Sequence, residues 1–173
     1  MDRHPYGCIG TAQALFALGQ KAEAIDTLEK GALRYPTDVS IRAEFARFAE
    51  NDGDIDEAAK RWDEVMRRFP RERIGYIESI RLFCTESRWS DAESVATAAI
   101  SRFSKDQWPF VEYASIALRC HDWPAAATRW AAMREALPDD PTGYQRGIEA
   151  LEAAGEADAA TLLRGEYTAR FGH

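Results

Sequence analysis

The chain has 173 residues, of which 46% are hydrophobic, and carries a formal net charge of -7 with a pI near 5.1. This composition supports one domain with a substantial core and argues against a disordered chain. The acidic balance argues against nucleic acid as the main partner, because phosphate recognition depends on clustered Lys and Arg.

The cysteines and the amino terminus indicate in which cellular compartment the protein is expected. Cys8, Cys84 and Cys120 are odd in number, far apart and without Cys-x-x-Cys spacing, which indicates free thiols and neither disulfides nor a zinc site. No apolar run has the length of a signal peptide or of a membrane span of roughly 18 residues. For a chain that is not a piece of a longer protein, we therefore expect a cytoplasmic location and no membrane insertion.

A period of 34 residues runs along the whole chain. Each copy is predicted to contain two helices joined by a short turn, such as Ile41–Asn51 followed by Asp56–Phe69. Three columns recur: a large apolar residue that closes the second helix, an alanine inside it, and a break between the helices. They are Tyr35, Phe69, Phe103, Leu137 and Phe171; Ala24, Ala58, Ala92, Ala126 and Ala160; and Gly19, Gly53, Ser87, His121 and Gly155. The predicted copies are residues 5–38, 39–72, 73–106, 107–140 and 141–173, in a single domain spanning residues 1–173.

These columns resemble the tetratricopeptide repeat (TPR) family in repeat length and in the spacing of Gly53, Ala58 and Pro70. The resemblance covers essentially the whole chain. It implies an all-α fold, a right-handed α-solenoid of about five helix-turn-helix repeats with ten antiparallel helices. Ser104 and Gly172 depart from the family pattern, because they replace the closing proline.

Copies two and four share a feature that copies one and three lack. Trp62 and Trp130, each preceded by Arg, occupy equivalent positions, and the copies that follow open with Gly-Tyr at Gly75 and Gly143. We predict that each indole extends into the next copy, where a residue without a Cβ leaves room, so that Trp130 contacts Gly143 and Tyr144. This alternation between copies also resembles, more loosely, TPR segments that accompany bacterial glycan-processing enzymes.

Motifs for catalysis and metal binding are missing from the sequence. It contains no Gly-x-Ser-x-Gly, no His-Glu-x-x-His and no Gly-rich phosphate loop. The run from Asp52 to Asp63 imitates a calcium loop but lacks glycine at the sixth position, and Asp54 is better interpreted as a helix cap. We therefore expect no enzymatic activity, no cofactor and no bound metal.

The resemblance also implies a binding surface, because the first helices of TPR proteins line a concave groove. The family columns place Phe16, Arg47, Glu50, Ile77, Arg81, Trp108, Val111, Leu118 and Arg119 there, within a wider set that includes Gln13, Ala17 and Asn51. Arg47 and Arg81 share one column, and we predict that they form a positive patch for an acidic or carboxylate-bearing ligand. In the alternative, the apolar residues pack between copies and Arg47 pairs with Glu44 or Glu50 on its own helix.

The leading functional hypothesis is a non-catalytic scaffold or adaptor that binds a peptide or protein segment in this groove. The alternative is an accessory TPR segment of a bacterial polysaccharide-processing or secretion assembly whose chemistry lies in another chain or domain. A third option is a homo-oligomer formed by end-to-end stacking of the last copy.

Overall fold

The computed structural model describes residues 5–172 and contains ten α-helices, with no strand in that range. Each predicted copy contributes two consecutive helices, so the predicted all-α helical repeat is confirmed. The helices are α1 (Pro5–Ala17), α2 (Lys21–Arg34), α3 (Val39–Asn51), α4 (Ile55–Arg68), α5 (Ile74–Thr85), α6 (Trp89–Arg102), α7 (Trp108–Arg119), α8 (Trp123–Ala136), α9 (Thr142–Ala153) and α10 (Ala157–Phe171). No helix within the described range is both long enough and apolar enough to cross a membrane.

The helices divide into two compact units, one that ends at Leu82 and one that begins at Phe83. In the first unit α1 packs on α2, α2 on α3 and α3 on α4, and the first helices α1 and α3 also contact each other. In the second unit α6 packs on α7, α7 on α8, α8 on α9 and α9 on α10. The boundary lies inside α5, and the single domain expected from the sequence stays a prediction.

The break column adopts the left-handed backbone conformation in every copy. Gly19, Gly53 and Gly155 have φ values of 79°, 77° and 79°, while Ser87 and His121 have 56° and 55°. Glycine adopts this region without penalty, whereas a side chain with a Cβ is strained there. The sequence therefore identified the turn positions correctly.

Acidic residues cap two of the second helices. Asp54 accepts a hydrogen bond from the backbone N–H of Glu57 at 3.0 Å, and Asp122 accepts one from Ala125 at 3.0 Å. The capping role predicted for Asp54 is confirmed. No group of three His, Cys, Asp or Glu side chains within residues 5–172 is arranged to hold a metal ion.

The alanine column lies in the core of every copy, with at most 1% of each residue exposed. Larger apolar side chains fill the space around these alanines: Leu28 and Ile41 in copies one and two, and Trp130 and Met133 in copy four. A short side chain at this column lets the helices approach closely, as the sequence predicts.

The glycines that open copies three and five lie against the end of the preceding helix. A Cβ at Gly75 would lie 2.8 Å from Cγ of Met66, and one at Gly143 would lie 3.0 Å from Cγ and 3.3 Å from the backbone nitrogen of Arg134. Trp130 is not among the three nearest contacts. Glycine is required at these positions because the last turn of the preceding helix comes so close. The contact of Trp130 with Gly143 and Tyr144 stays a prediction.

The arginine before each tryptophan accounts for the doubled period. Arg61 Nη1 donates to the backbone carbonyl of Phe45 at 3.3 Å, and its guanidinium lies 5.4 Å from the Phe45 ring centroid. Arg129 repeats both contacts on Tyr113, at 2.7 Å and 4.1 Å. In copies two and four this arginine thus links the second helix to the first helix of the same copy, through a hydrogen bond to a backbone carbonyl and a contact with an aromatic ring.

Candidate functional site

Three polar side-chain pairs join the first helices of adjacent copies in the first unit, each between residues 31 apart in the sequence. The pairs are Gln13 with Glu44 at 2.8 Å, Arg47 with Glu78 at 3.5 Å, and Arg81 with Glu50. Equivalent residues in adjacent copies are 34 positions apart, and these pairs are 31 positions apart, which is about one helical turn fewer. Each side chain therefore contacts a residue about one turn before its own equivalent in the next copy.

Contacts within single copies complete this network. Arg47 lies 3.3 Å from Glu44, Arg81 lies 2.7 Å from Glu78, and the Trp62 indole N–H donates to Glu50 at 2.6 Å. All six oxygens of the three carboxylates Glu44, Glu50 and Glu78 therefore have a donor. The carboxylates need no further ligand to satisfy them.

The glutamates lie inside the network and the arginines lie at its surface. The side chains of Glu44, Glu50 and Glu78 are 5%, 15% and 22% exposed, whereas those of Arg47 and Arg81 are 40% and 48% exposed. Solvent therefore meets two guanidinium groups whose orientation is set by carboxylates beneath them.

This network lines an open pocket of about 480 Å³ in the first unit, which we call the Arg–Glu pocket. Its remaining wall is apolar, because Phe16 of α1 stacks on Phe48 of α3 with ring centroids 4.2 Å apart. The full lining is Gln13, Phe16, Ala17, Glu44, Arg47, Phe48, Glu50, Asn51, Glu78 and Arg81. The pocket thus combines an aromatic surface with hydrogen-bond donors held in fixed positions.

The charge of the pocket differs from the sequence-based prediction. Three carboxylates meet two guanidinium groups, so the formal charge of its ionised side chains is negative and the predicted positive patch is wrong. The alternative in which Arg47 pairs with Glu44 is confirmed. Burial lowers the pKa of the Arg81 guanidinium, but hydrogen bonds to Glu50 and Glu78 outweigh it, and the pKa lies above its ordinary value.

The predicted site residues separate into two groups. Phe16, Arg47, Glu50 and Arg81 line the Arg–Glu pocket, whereas Ile77 is 40% exposed on α5 without lining it. The other four belong to the second unit, and none of them lines this pocket.

Packing explains most of that second group. Trp108 lies 5.3 Å from Phe103 between ring centroids. Val111 and Leu118 are partly buried against the core cluster around Trp130. Arg119 is exposed. For Val111 and Leu118 the structure therefore shows the packing that the alternative hypothesis described.

The sequence analysis did not place Phe48 or Glu78 in the site, and considered Glu44 only as a partner of Arg47. A usable signal was present, because Arg47 and Glu78, and likewise Glu50 and Arg81, carry opposite charges 31 residues apart. The family columns step by 34 residues and so do not reveal contacts that are offset by one turn.

The sequence matches no protein-family model and none of the curated proteins. The structure resembles solved helical repeat proteins. Residues 41 to the end of MamA from Desulfovibrio magneticus RS-1 match with a TM-score of 0.57 and 13% identity, over 97% of this chain and 95% of that one. TTC0263, a thermophilic TPR protein from Thermus thermophilus, matches with a TM-score of 0.53 and 17% identity, over 97% and 92%. The fold is TPR-like.

A further match is a chain in the structure of Naa15/Naa10 bound to HypK-THB. It has a TM-score of 0.61 and 14% identity, and the match covers 98% of this chain but only 25% of that one. At such identities the likeness shows the fold alone. The looser resemblance to segments accompanying glycan-processing enzymes gains no support from these TPR-like structures.

Proposed function

We propose that this chain is a non-catalytic protein-interaction scaffold whose first helices α1, α3 and α5 bind a segment of a partner protein at the Arg–Glu pocket. The observation that carries the proposal is the network that holds Arg47 and Arg81 at the mouth of the pocket beside the Phe16–Phe48 stack. Donors already held in place lose little freedom when they bind, which favours recognition.

The chemistry of the pocket indicates which part of a partner fits. A guanidinium has five N–H donors, and the two ion pairs of Arg47 use two nitrogens while its side chain stays 40% exposed. Each of the six carboxylate oxygens already has a donor, so a cationic side chain would compete for them with the donors already in place. A carboxylate-rich ligand meets a net negative pocket.

An uncharged, extended peptide segment satisfies both conditions. Its backbone carbonyls accept hydrogen bonds from the arginines, and an apolar side chain covers the exposed part of Phe16. The neighbours are consistent with a scaffold role, since the Naa15/Naa10 structure was solved with HypK-THB bound.

The test replaces the arginine fork and keeps its charge. Arg47→Lys together with Arg81→Lys should weaken binding of any partner that uses the pocket by about ten-fold, because lysine cannot form the same paired hydrogen bonds. Affinity capture from the source cell, followed by calorimetry with each captured protein, compares this variant with the wild type. Arg67→Lys is the matched control, since Arg67 pairs with Asp63 on exposed α4 surface.

The outcome shows whether a partner binds at the Arg–Glu pocket or at another surface. Partners bound equally by the wild type and the Arg47→Lys/Arg81→Lys variant would place recognition elsewhere. Charge reversal of these arginines would be a poorer test. It would add carboxylates to three that already share the pocket, and it would leave Glu44 buried without its arginine.

Neither of the other hypotheses gains an observation here. Nothing in residues 5–172 favours an accessory role in a polysaccharide-processing or secretion assembly. Arg164 and Glu152 pair on the last copy with side chains about half exposed (52% and 51%), which gives α10 a polar surface at that point. End-to-end stacking and a cytoplasmic location stay predictions.

A further inference from the structure

A second surface, in the second unit, has a different chemistry. An open groove of about 440 Å³ lies between α8 and α10, and its lining is mostly apolar or small. Leu163 in its floor is 5% exposed, whereas Leu162 on its wall is 73% exposed. The lining comprises Pro124, Ala127, Thr128, Ala131, Arg134, Leu151, Glu156, Ala159, Leu162, Leu163 and Glu166. We call it the α8–α10 groove.

Comparison among the copies shows that this surface has lost the charge that equivalent positions carry elsewhere. Three columns of the second helix change from charged residues in copies one and two to uncharged ones in copies four and five. They are Glu23, Glu57, Asp91, Ala125 and Ala159; Asp26, Lys60, Ser94, Thr128 and Leu162; and Glu29, Asp63, Thr97, Ala131 and Gly165. An exposed leucine where the other copies have polar residues is not needed for the repeat fold, and exposed apolar surface of this kind marks interaction sites.

Two carboxylates, Glu156 and Glu166, also line the groove. Glu156 occupies the helix-capping column but makes no capping hydrogen bond, unlike Asp54 and Asp122 in the same column. Glu166 lies ten residues further along, about 15 Å at 1.5 Å per residue. Neither carboxylate forms an ion pair within the described residues.

The cation nearby is already engaged. Arg134, which also lines the groove, donates from Nη1 to the backbone carbonyl of Gly143 at 3.1 Å. Burial lowers the pKa of its guanidinium, and the negative charge of Glu166 partly offsets that lowering. The sequence from Phe83 onward has fourteen acidic and nine basic side chains, so the surrounding field is also negative. An apolar ligand with positive charge at both ends is the complement of this groove.

We propose that the α8–α10 groove binds an amphipathic helix of a partner protein, with a leucine-rich stripe and a Lys or Arg near each end of that stripe. A groove bounded by two helices that both pack on α9 can accept the side-chain ridge of a further helix. Basic residues eleven positions apart lie on one helical face at about 16 Å, which matches the spacing of Glu156 and Glu166. The proposal concerns a different surface from the Arg–Glu pocket and does not depend on it.

The test uses a labelled synthetic helix of eighteen residues, with leucines on one face and lysines at both ends of that face. Fluorescence anisotropy measures its affinity for the full chain. Two further peptides serve as probes, one with glutamates in place of the lysines and one with glutamines in place of the leucines. We expect only the first peptide to bind well, and its affinity should fall as salt rises.

Matched variants locate the binding. Leu162→Ser should weaken binding by about ten-fold or more, because it removes apolar contact area. Leu33→Ser is the control, since Leu33 is 83% exposed on α2 in the other unit. Glu156→Gln with Glu166→Gln should weaken binding by about three-fold or more, as expected for rim ion pairs, whereas Glu86→Gln should not.

Both leucines are exposed, so neither serine variant should unfold the chain, and circular dichroism verifies this. Equal binding by Leu162→Ser and the wild type, an equal loss in Leu33→Ser, or no binding of the basic peptide at millimolar concentration would each overturn the proposal.

Discussion

Trp62 and Trp130 stand at equivalent positions, both almost fully buried, yet their indole N–H groups have different surroundings. Trp62 donates to Glu50 at 2.6 Å, whereas Trp130 Nε1 has no hydrogen-bond partner. The position equivalent to Glu50 in copy four is Leu118, which offers no acceptor. In copy two, the tryptophan therefore links the core to the Arg–Glu pocket by a hydrogen bond. In copy four, the equivalent tryptophan contributes packing without such a bond.

This difference predicts unequal costs for the same substitution. Trp62→Phe and Trp130→Phe remove similar volume, but Trp62→Phe also removes a hydrogen bond to a charged group, worth about 1.5 to 3 kcal/mol. We expect Trp62→Phe to lower the free energy of unfolding by that much more than Trp130→Phe. Urea denaturation followed by circular dichroism measures both. Equal losses would show that the Trp62–Glu50 contact contributes nothing to stability.

At the scale of elements, the alanine column decides how closely helices pack. Ala92 of α6 has no exposed surface, and the equivalent alanines in the other copies are buried to the same degree. The left-handed residue just before each second helix directs the chain into that helix, and the alanine lets the helix approach its neighbours. Both features recur at the 34-residue period, so they belong to the repeat rather than to any one site.

Enlarging one of these alanines should therefore be costly. Ala92→Leu adds volume where no space is available, and we expect it to reduce the free energy of unfolding by about 1 to 3 kcal/mol. Ala98→Leu on the exposed side of the same helix is the control, with an expected change below about 0.5 kcal/mol. A melting temperature unaltered by Ala92→Leu would show that the column tolerates a larger side chain.

At the scale of the whole molecule, the two proposed binding surfaces lie in different units and differ in chemistry. The first unit carries the Arg–Glu pocket, with its hydrogen-bond donors and aromatic wall. The second carries the α8–α10 groove, with an apolar lining between two carboxylates. Under the two proposals, one chain binds two different segments, as a scaffold does.

The single domain expected from the sequence can be tested by hydrogen exchange. Helix α5 continues without a break through Leu82 and Phe83, so unfolding of either unit disrupts hydrogen bonds of the same helix. We expect the slowest amides of α3 and α8 to report opening free energies that agree within about 1 kcal/mol. Clearly separate values, confirmed by two transitions in urea, would instead define two domains.

The sequence by itself determined the features that depend on local conformation and on burial repeated at a fixed period. Gly53 and its equivalents mark turns, because the strain of a left-handed backbone conformation depends on whether the residue at that position has a Cβ. Ala58 and its equivalents mark the core, because every copy repeats the same packing. Phe16, Arg47, Glu50 and Arg81, which the family columns place on the first helices, line the Arg–Glu pocket, but their role in binding stays a prediction.

Only the tertiary structure decided which side chains meet. The Arg–Glu pocket depends on contacts between residues 31 apart, one turn away from the 34-residue columns, and this offset turned an expected positive patch into a network with an excess of carboxylate. Gly143 lies against Arg134 at the end of the preceding helix, because the crossing of two helices sets that distance. Such contacts depend on how helices are placed against each other, and a period along the chain does not encode that placement.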